Sequence, residues 1–208
     1  MAGTLKSDGA VMYEVPANYR NSGWYNHYYR TTGENPLEKF KVIYKCVIGL
    51  LGEQEVFSVL EIGCGTGALG SILSRLYDYR GIDFSPGAIS SCIAHYPAID
   101  VTYDDAMTYF NNKHDPVDAI VCVETLEHLR DDRGFIGLLP GGCLFIGSVP
   151  ISGGLIEHKD SSHVREFESD ADIIARYDDL IDIDVVRVVS RGKPGKMMHG
   201  VFRGRVRV

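Results

Sequence analysis

The stretch VLEIGCGTGALG, residues 59–70, decides the fold of this chain, because an apolar run ends there in glycines spaced by two. Glycine adopts positive φ at little cost and leaves the backbone open to a ligand. A helix that begins near Gly67 offers unpaired backbone N–H groups at its first turn. The stretch therefore predicts a strand, a tight turn and a helix that together bind a nucleotide-like ligand.

Length and composition predict one domain over residues 1–208. The chain is 45% apolar, which suffices for one buried core. We expect residues 1–52 to form an N-terminal arm and helices that act as a lid, and residues 56–208 to form the ligand-binding core. No apolar run is long enough to cross a bilayer and no signal-peptide pattern opens the chain. A cytoplasmic protein without a membrane partner is therefore expected.

Charge argues against a protein that grips a long stretch of nucleic acid, because the net charge is -7 and phosphate contacts supply most of such affinity. The last part of the chain is nevertheless basic and holds no acid. Its charged residues are Arg187, Arg191, Lys193, Lys196, Arg203, Arg205 and Arg207. We interpret them as a solvated strand face, with an anionic substrate or partner as the alternative.

Short apolar runs alternate with helical patterns along the chain. The expected strands are 57–62, 79–82, 101–103, 117–123, 143–149, 181–190 and 197–208. The expected helices are 36–51, 67–77, 86–95, 126–139 and 169–177. This alternation predicts a doubly wound, Rossmann-like α/β sheet with helices on both faces and a ligand site at the carboxyl ends of the strands.

The glycine run admits two ligands, and a tight strand-to-helix turn that binds no ligand is the third alternative. Residues 65–70 fit the G-x-G-x-x-G pattern of NAD-binding proteins, but more than fifty residues with a helix precede it. Glu61 lies two residues before Gly63, where a carboxylate can orient the loop and face a cationic ligand. An NAD-dependent oxidoreductase and a nucleoside-binding protein of another class both remain open on these residues alone.

Acids after the next two strands favour a nucleoside. Asp83 follows the second strand, where a carboxylate can accept bonds from both ribose hydroxyls. Asp104 and Asp105 close the third strand, where an acid can accept a bond from an adenine amino group. Phe84 and Met107 could cover the faces of the ring.

In this combination the chain resembles the class I S-adenosylmethionine-dependent methyltransferases, over about residues 57–149. The resemblance implies a seven-stranded sheet with an antiparallel last strand. It also implies that Gly63 and Gly65 pass under the methionine part of the cofactor, that Asp83 holds the ribose and that Asp105 holds the adenine amino group. The expected cofactor site consists of Glu61, Gly63, Cys64, Gly65, Asp83, Phe84, Asp105, Ala106 and Val123. The expected lid carries Trp24, Tyr25, Tyr28 and Tyr29.

A second motif, ETLEH at residues 124–128, follows the fourth strand. A helix that begins just past Glu124 would carry Glu124, Glu127 and His128 on one face. Two carboxylates and an imidazole form half of a shell for Mg²⁺ or another divalent cation, and His163, or its competitor His158, could complete it. The alternative is that Glu127 stabilises the helix start and His128 packs over the cofactor.

Two families with Glu-x-x-Glu-His look similar here: the ubiquinone-pathway O-methyltransferases and the small-RNA 2'-O-methyltransferases. We expect O-methylation of a small molecule such as a catechol, with His128, His163 and Glu127 as catalytic residues. His128 or His163 would be the general base if no metal is bound. The alternatives are methylation of an RNA terminus, an NAD-dependent oxidoreductase and a non-catalytic cofactor-binding subunit.

Overall fold

A computed structural model describes residues 35–110, 116–152, 162–190 and 197–208, together with the backbone of residues 4–5 and 11–12. The expected lid residues Trp24, Tyr25, Tyr28 and Tyr29 lie outside the described residues, as does His158. The strands are β1 (Thr4–Leu5), β2 (Val11–Met12), β3 (Ser58–Ile62), β4 (Asp78–Asp83), β5 (Val101–Tyr103), β6 (Ala119–Val123), β7 (Leu144–Ile151), β8 (Arg165–Glu166), β9 (Ile181–Ser190) and β10 (Met198–Val206). The α-helices are α1 (Pro36–Lys39), α2 (Lys41–Gly52), α3 (Gly70–Leu73), α4 (Pro86–His95), α5 (Ala106–Tyr109), α6 (Asp132–Gly137) and α7 (Asp170–Tyr177).

Seven strands form one sheet in the order β5-β4-β3-β6-β7-β10-β9. The first five strands in this order are parallel, and β10 runs antiparallel to both of its neighbours. The order reverses between β3 and β6, which is where an open α/β sheet forms its ligand crevice. The expected Rossmann-like sheet with an antiparallel last strand is confirmed. A second small sheet pairs β1, β2 and β8.

Two hydrophobic cores cover the two faces of the large sheet. Val59 belongs to one core and its neighbour Leu60 to the other, because successive side chains of a strand point to opposite faces. Helix α2 buries Ile43, Val47 and Leu50 completely in the first core. The strand ends that carry the polar residues are therefore backed by packed cores on both faces of the sheet. No helix in the described ranges is long and apolar enough to cross a membrane.

The first two expected helices differ from the prediction. The helix expected over residues 36–51 is divided at Phe40, although Asn35 caps it as expected by accepting a bond from the Leu37 N–H at 3.0 Å. The helix expected from Gly67 begins at Gly70. Gly67 has a φ of 79°, which lies outside the helical region and delays the helix start.

Candidate active site

One cavity of about 950 Å³ opens at the carboxyl ends of the parallel strands, where this architecture places ligands. One side of it is formed by residues 63–66 of the glycine loop (residues 63–67) and by the ends of β4 and β5. The other side is formed by residues between Glu124 and Asp131 and by residues 162–164, which follow β7. After the ligands that the sequence predicts for them, we call these the cofactor side and the acceptor side.

The glycine loop is fixed by the strand that follows it. Gly63, Gly65 and Gly67 all have positive φ, between 54° and 79°. A Cβ on Gly63 would lie 2.3 Å from Thr125 Oγ1, so only glycine fits there. Asp83 accepts a bond from the Gly65 N–H at 2.9 Å. The expected ribose-binding acid therefore also anchors the loop, and burial raises its pKa.

Glu61 lies behind this loop and is almost fully buried. The Tyr79 hydroxyl donates a bond of 2.6 Å to Glu61 Oε2, while burial raises the pKa of Glu61 to about 8. A Cβ on either Gly70 or Gly81 would lie 2.4 Å from the Tyr79 hydroxyl oxygen. These two glycines thus make room for the tyrosine that orients Glu61. Sequence reasoning missed Tyr79, although Gly81 two residues later on the same strand was a signal of close packing.

The other expected cofactor residues also line the cavity. They are Cys64, Phe84, Asp105, Ala106 and Val123. Asp105 caps α5 as well, because its Oδ1 accepts a bond from the Met107 N–H at 2.8 Å. Burial raises the pKa of the Cys64 thiol, so this cysteine is poorly suited to act as a nucleophile.

Three of the four expected metal ligands come together on the acceptor side. Glu127, His128 and His163 each offer one ligand atom, and these atoms lie within 4.8 Å of one another. The rings of His128 and His163 meet edge to face with centroids 4.9 Å apart. The Val164 N–H donates to the Glu127 carbonyl at 2.8 Å, which ties the segment after β7 to the segment after β6.

The expected helical face through Glu124, Glu127 and His128 is wrong. Residues 126–128 form one 3-10 turn, the chain is extended at Leu129, and α6 begins only at Asp132. Glu124 has a φ of 50°, outside any right-handed helix. Its carboxylate lies 2.8 Å from Ser148 Oγ and 2.8 Å from His199 Nδ1, so it does not belong to the Glu127–His128–His163 group.

A buried arginine explains why the chain leaves the helix here. The Arg165 guanidinium donates bonds to the carbonyls of Leu126, Leu129 and Arg130. These carbonyls would otherwise accept bonds within a continuous helix. Arg165 also forms an ion pair with Asp132 at 3.0 Å, and both are buried. Sequence reasoning missed this residue, because no local pattern distinguishes a buried arginine from an exposed one.

Asp132, the partner of Arg165, also forms hydrogen bonds with two residues of α7. Its carboxylate accepts bonds from Arg176 Nε at 2.7 Å and from the Tyr177 hydroxyl at 2.6 Å. Both residues lie on α7 and are buried. The acceptor side therefore rests on a buried charged network that connects α6, β8 and α7.

Comparisons with known proteins agree with this architecture. Residues 59–136 match a family model described as a methyltransferase domain. The chain is 30% identical to the ubiquinone biosynthesis O-methyltransferase of Cupriavidus pinatubonensis over 113 residues. That match covers 50% of this chain and 44% of the relative, so the chain spans about half the length of this curated protein.

Solved structures with the same fold include two methyltransferases. An N-methyltransferase of Bradyrhizobium japonicum bound to S-adenosyl-L-homocysteine has a TM-score of 0.64 at 19% identity, covering 84% of this chain and 89% of that one. Magnesium protoporphyrin IX methyltransferase of Synechocystis has a TM-score of 0.63 at 16% identity, covering 92% of this chain and 97% of that one. At these identities the likeness speaks for the fold alone. With the family model over residues 59–136 and the curated relative, it supports the resemblance to class I S-adenosylmethionine-dependent methyltransferases.

Proposed function

We propose that this protein transfers a methyl group from S-adenosylmethionine to an oxygen of a small molecule, with help from a divalent cation. The observation that carries the proposal is that the glycine loop and the Glu127–His128–His163 group line the same cavity. The name of the curated relative, an O-methyltransferase, supports the same chemistry.

The residues of the cofactor side fit S-adenosylmethionine. Glu61, a buried carboxyl group on the cavity wall, suits a cationic part of the cofactor. Asp83 would hold the ribose and Asp105 the adenine amino group. When bound, the cofactor supplies an electrophilic methyl group, so the protein has to align the acceptor with it and exclude water.

The Glu127–His128–His163 group fits a metal ion. Two imidazoles and one carboxylate suit a transition metal such as Zn²⁺ or Mn²⁺ better than Mg²⁺, which prefers oxygen ligands. His128 Nδ1 lies 3.1 Å from the Ser162 carbonyl oxygen. If Nδ1 carries the proton and donates it to this carbonyl, Nε2 of His128 is the atom that can bind the metal. A cation bound there would lower the pKa of an acceptor hydroxyl.

Without a cation the same residues can move the proton. His128 and His163 have the ring nitrogens that a general base needs, and both line the cavity. Glu127 Oε1 lies 3.8 Å from His128 Nε2, so it can stabilise the imidazolium that forms. The two versions of the proposal differ in their response to a chelator.

Methylation of an RNA terminus is the weaker alternative. Several arginines of the basic tail are engaged in ion pairs: Arg187 with Glu53, Arg203 with Asp184 and Glu53, and Arg207 with Asp182. Carboxylates also outnumber lysine and arginine along the cavity wall. Both features oppose the phosphate contacts on which RNA binding depends.

The test is methyl transfer from S-adenosylmethionine to catechol, followed by mass spectrometry, with and without a chelator. We expect O-methylated product, its loss with chelator, and recovery when Mn²⁺ or Zn²⁺ is added back. His163→Ala should lose the bound metal, whereas His95→Ala, an exposed histidine on α4 outside the group, should keep it. Product formation that no chelator affects would refute the cation, and S-adenosylhomocysteine binding without any O-methylation would refute the proposed acceptor.

A further inference from the structure

Glu124 has a left-handed backbone conformation at the wall of the cavity. It is the first residue after β6, it lines the cavity, and its side chain is 15% exposed. Among the described residues it is the one non-glycine residue with positive φ. Such a conformation is strained and persists where the surroundings impose it, most often at functional sites.

Two neighbouring strands impose this conformation. The Glu124 N–H donates to both the carbonyl and the Oγ of Ser148, each at 3.1 Å. Ser148 Oγ donates in turn to Glu124 Oε1 at 2.8 Å, and His199 Nδ1 lies 2.8 Å from Glu124 Oε2. Ser148 on β7 and His199 on β10 are fully buried. The carboxylate is therefore held from behind by rigid elements.

This arrangement suits binding of a ligand rather than support of the fold. A carboxylate offers about four lone-pair positions, so Glu124 can accept bonds from a ligand as well as from the protein. Part of the side chain is accessible from the cavity. A residue that only stabilised the sheet would gain nothing from a strained backbone at the cavity wall.

Glu124 also lies near the boundary between the two sides of the cavity. Tyr44 on α2 lines the same cavity and is buried. Burial raises the pKa of Tyr44, and the charges of Glu61 and Glu124 raise it further. One tyrosine is thus within electrostatic reach of the cofactor-side carboxyl group and of Glu124.

We propose that Glu124 binds the methyl acceptor by accepting a hydrogen bond from its hydroxyl or protonated amine, with Ser148 and His199 as positioning residues. The proposal rests on the proposed methyltransferase function and adds a requirement for the substrate class. The acceptor carries a hydrogen-bond donor and no anionic group at this point. The carboxylates on the acceptor side of the cavity favour the same class: Glu124, Glu127 and Asp131.

Calorimetry on the protein saturated with S-adenosylhomocysteine tests this inference. The probes are catechol, dopamine and protocatechuate, which share a diol and differ in charge. We expect catechol and dopamine to bind better than protocatechuate. Glu124→Gln should weaken catechol binding about tenfold or more, as expected for the loss of a hydrogen bond to a charged group, and should leave S-adenosylhomocysteine affinity unchanged. Glu55→Gln, an exposed carboxylate at the opposite end of the sheet, is the matched control.

Variants of His199 and Ser148 distinguish a role in orienting the Glu124 carboxylate from a role in stabilising the fold. His199→Leu should weaken catechol binding like Glu124→Gln, while His199→Gln, whose side-chain amide provides a polar partner for the carboxylate, should restore most of it. Ser148→Ala provides the same comparison if His199→Leu does not fold. Rescue by the glutamine variant is not expected if His199 only fills the core.

Several results would overturn the inference. They are catechol affinity unchanged in Glu124→Gln, preferential binding of protocatechuate, and a wild-type protein that binds neither catechol nor dopamine. A different result would refute the proposed O-methylation: the protein binds S-adenosylhomocysteine but transfers no methyl group to catechol. In that case a catechol affinity that depends on Glu124 would still support the inference.

Discussion

The glycine loop is held from within its own βα unit and the next, because Asp83, which anchors Gly65, lies 18 residues further along the chain. The segment at residues 124–130 is held from farther away, since Arg165 reaches the Leu129 carbonyl across 36 residues. The cofactor side is thus built by local signals that repeat along parallel strands. The acceptor side depends on packing that joins separate parts of the fold, so substitutions there should affect stability before they affect cofactor affinity.

The largest expected effect is on the acceptor side. Asp132→Ala leaves the buried guanidinium groups of Arg165 and Arg176 without their shared carboxylate. Breaking a buried charge pair in this way costs about 3–5 kcal/mol of unfolding free energy. Urea denaturation measures it, and Asp179→Ala, which removes the exposed partner of Arg133, should cost less than about 1 kcal/mol. Similar losses in the two variants would contradict the proposed role of the network.

The next largest effect is expected on the cofactor side and concerns the affinity for S-adenosylhomocysteine. Gly63→Ala forces a Cβ into a left-handed conformation with Thr125 Oγ1 only 2.3 Å away. The loop can relieve this strain of about 1–2 kcal/mol only by leaving its present conformation, and restoring that conformation on binding should lower S-adenosylhomocysteine affinity about tenfold or more by calorimetry. Gly137→Ala is the control, because its Cβ would meet nothing within 4 Å. Wild-type affinity in Gly63→Ala would show that the loop is not in contact with the cofactor.

The raised pKa of Glu61 predicts how the affinity for S-adenosylmethionine depends on pH. Because burial raises its pKa to about 8, the carboxyl group is protonated at neutral pH, whereas the ionised form binds a cation. Affinity for S-adenosylmethionine should therefore increase as pH rises toward about 8, by at most about tenfold per pH unit, and then level off. Glu61→Gln should lose this component. An identical pH profile in wild type and Glu61→Gln would exclude Glu61 as the titrating group.

Tyr79→Phe should have the smallest effect. The Tyr79 hydroxyl lowers the pKa of Glu61 against the effect of burial, so removing it should move the pH profile of S-adenosylmethionine affinity upward. The loss of affinity near neutral pH should be about threefold to tenfold, the value of one hydrogen bond. Tyr103→Phe, at an exposed tyrosine on β5, serves as the control. A profile that does not move would mean that Tyr79 does not tune Glu61.

Sequence reasoning predicted the location of a residue correctly where that location depends on its own strand end. Glu61 lies near the end of β3, Asp83 ends β4 and Asp105 follows β5, and all three line the cavity as expected. It failed at residues 126–139, where helical spacing predicted one helix and Arg165 captures the carbonyls instead. The contact between Glu124 and His199 joins two segments that only the folded sheet brings together. No local pattern in the sequence encodes it.

The most direct test of the account supplies S-adenosylmethionine with a deuterated methyl group and catechol to the wild-type protein. Mass spectrometry then locates the label in the product. The account predicts a deuterated methyl group on one catechol oxygen and its loss in His128→Ala, while that variant still binds S-adenosylhomocysteine. A protein that binds S-adenosylhomocysteine at Gly63 and Glu61 yet never labels an oxygen of catechol would contradict it.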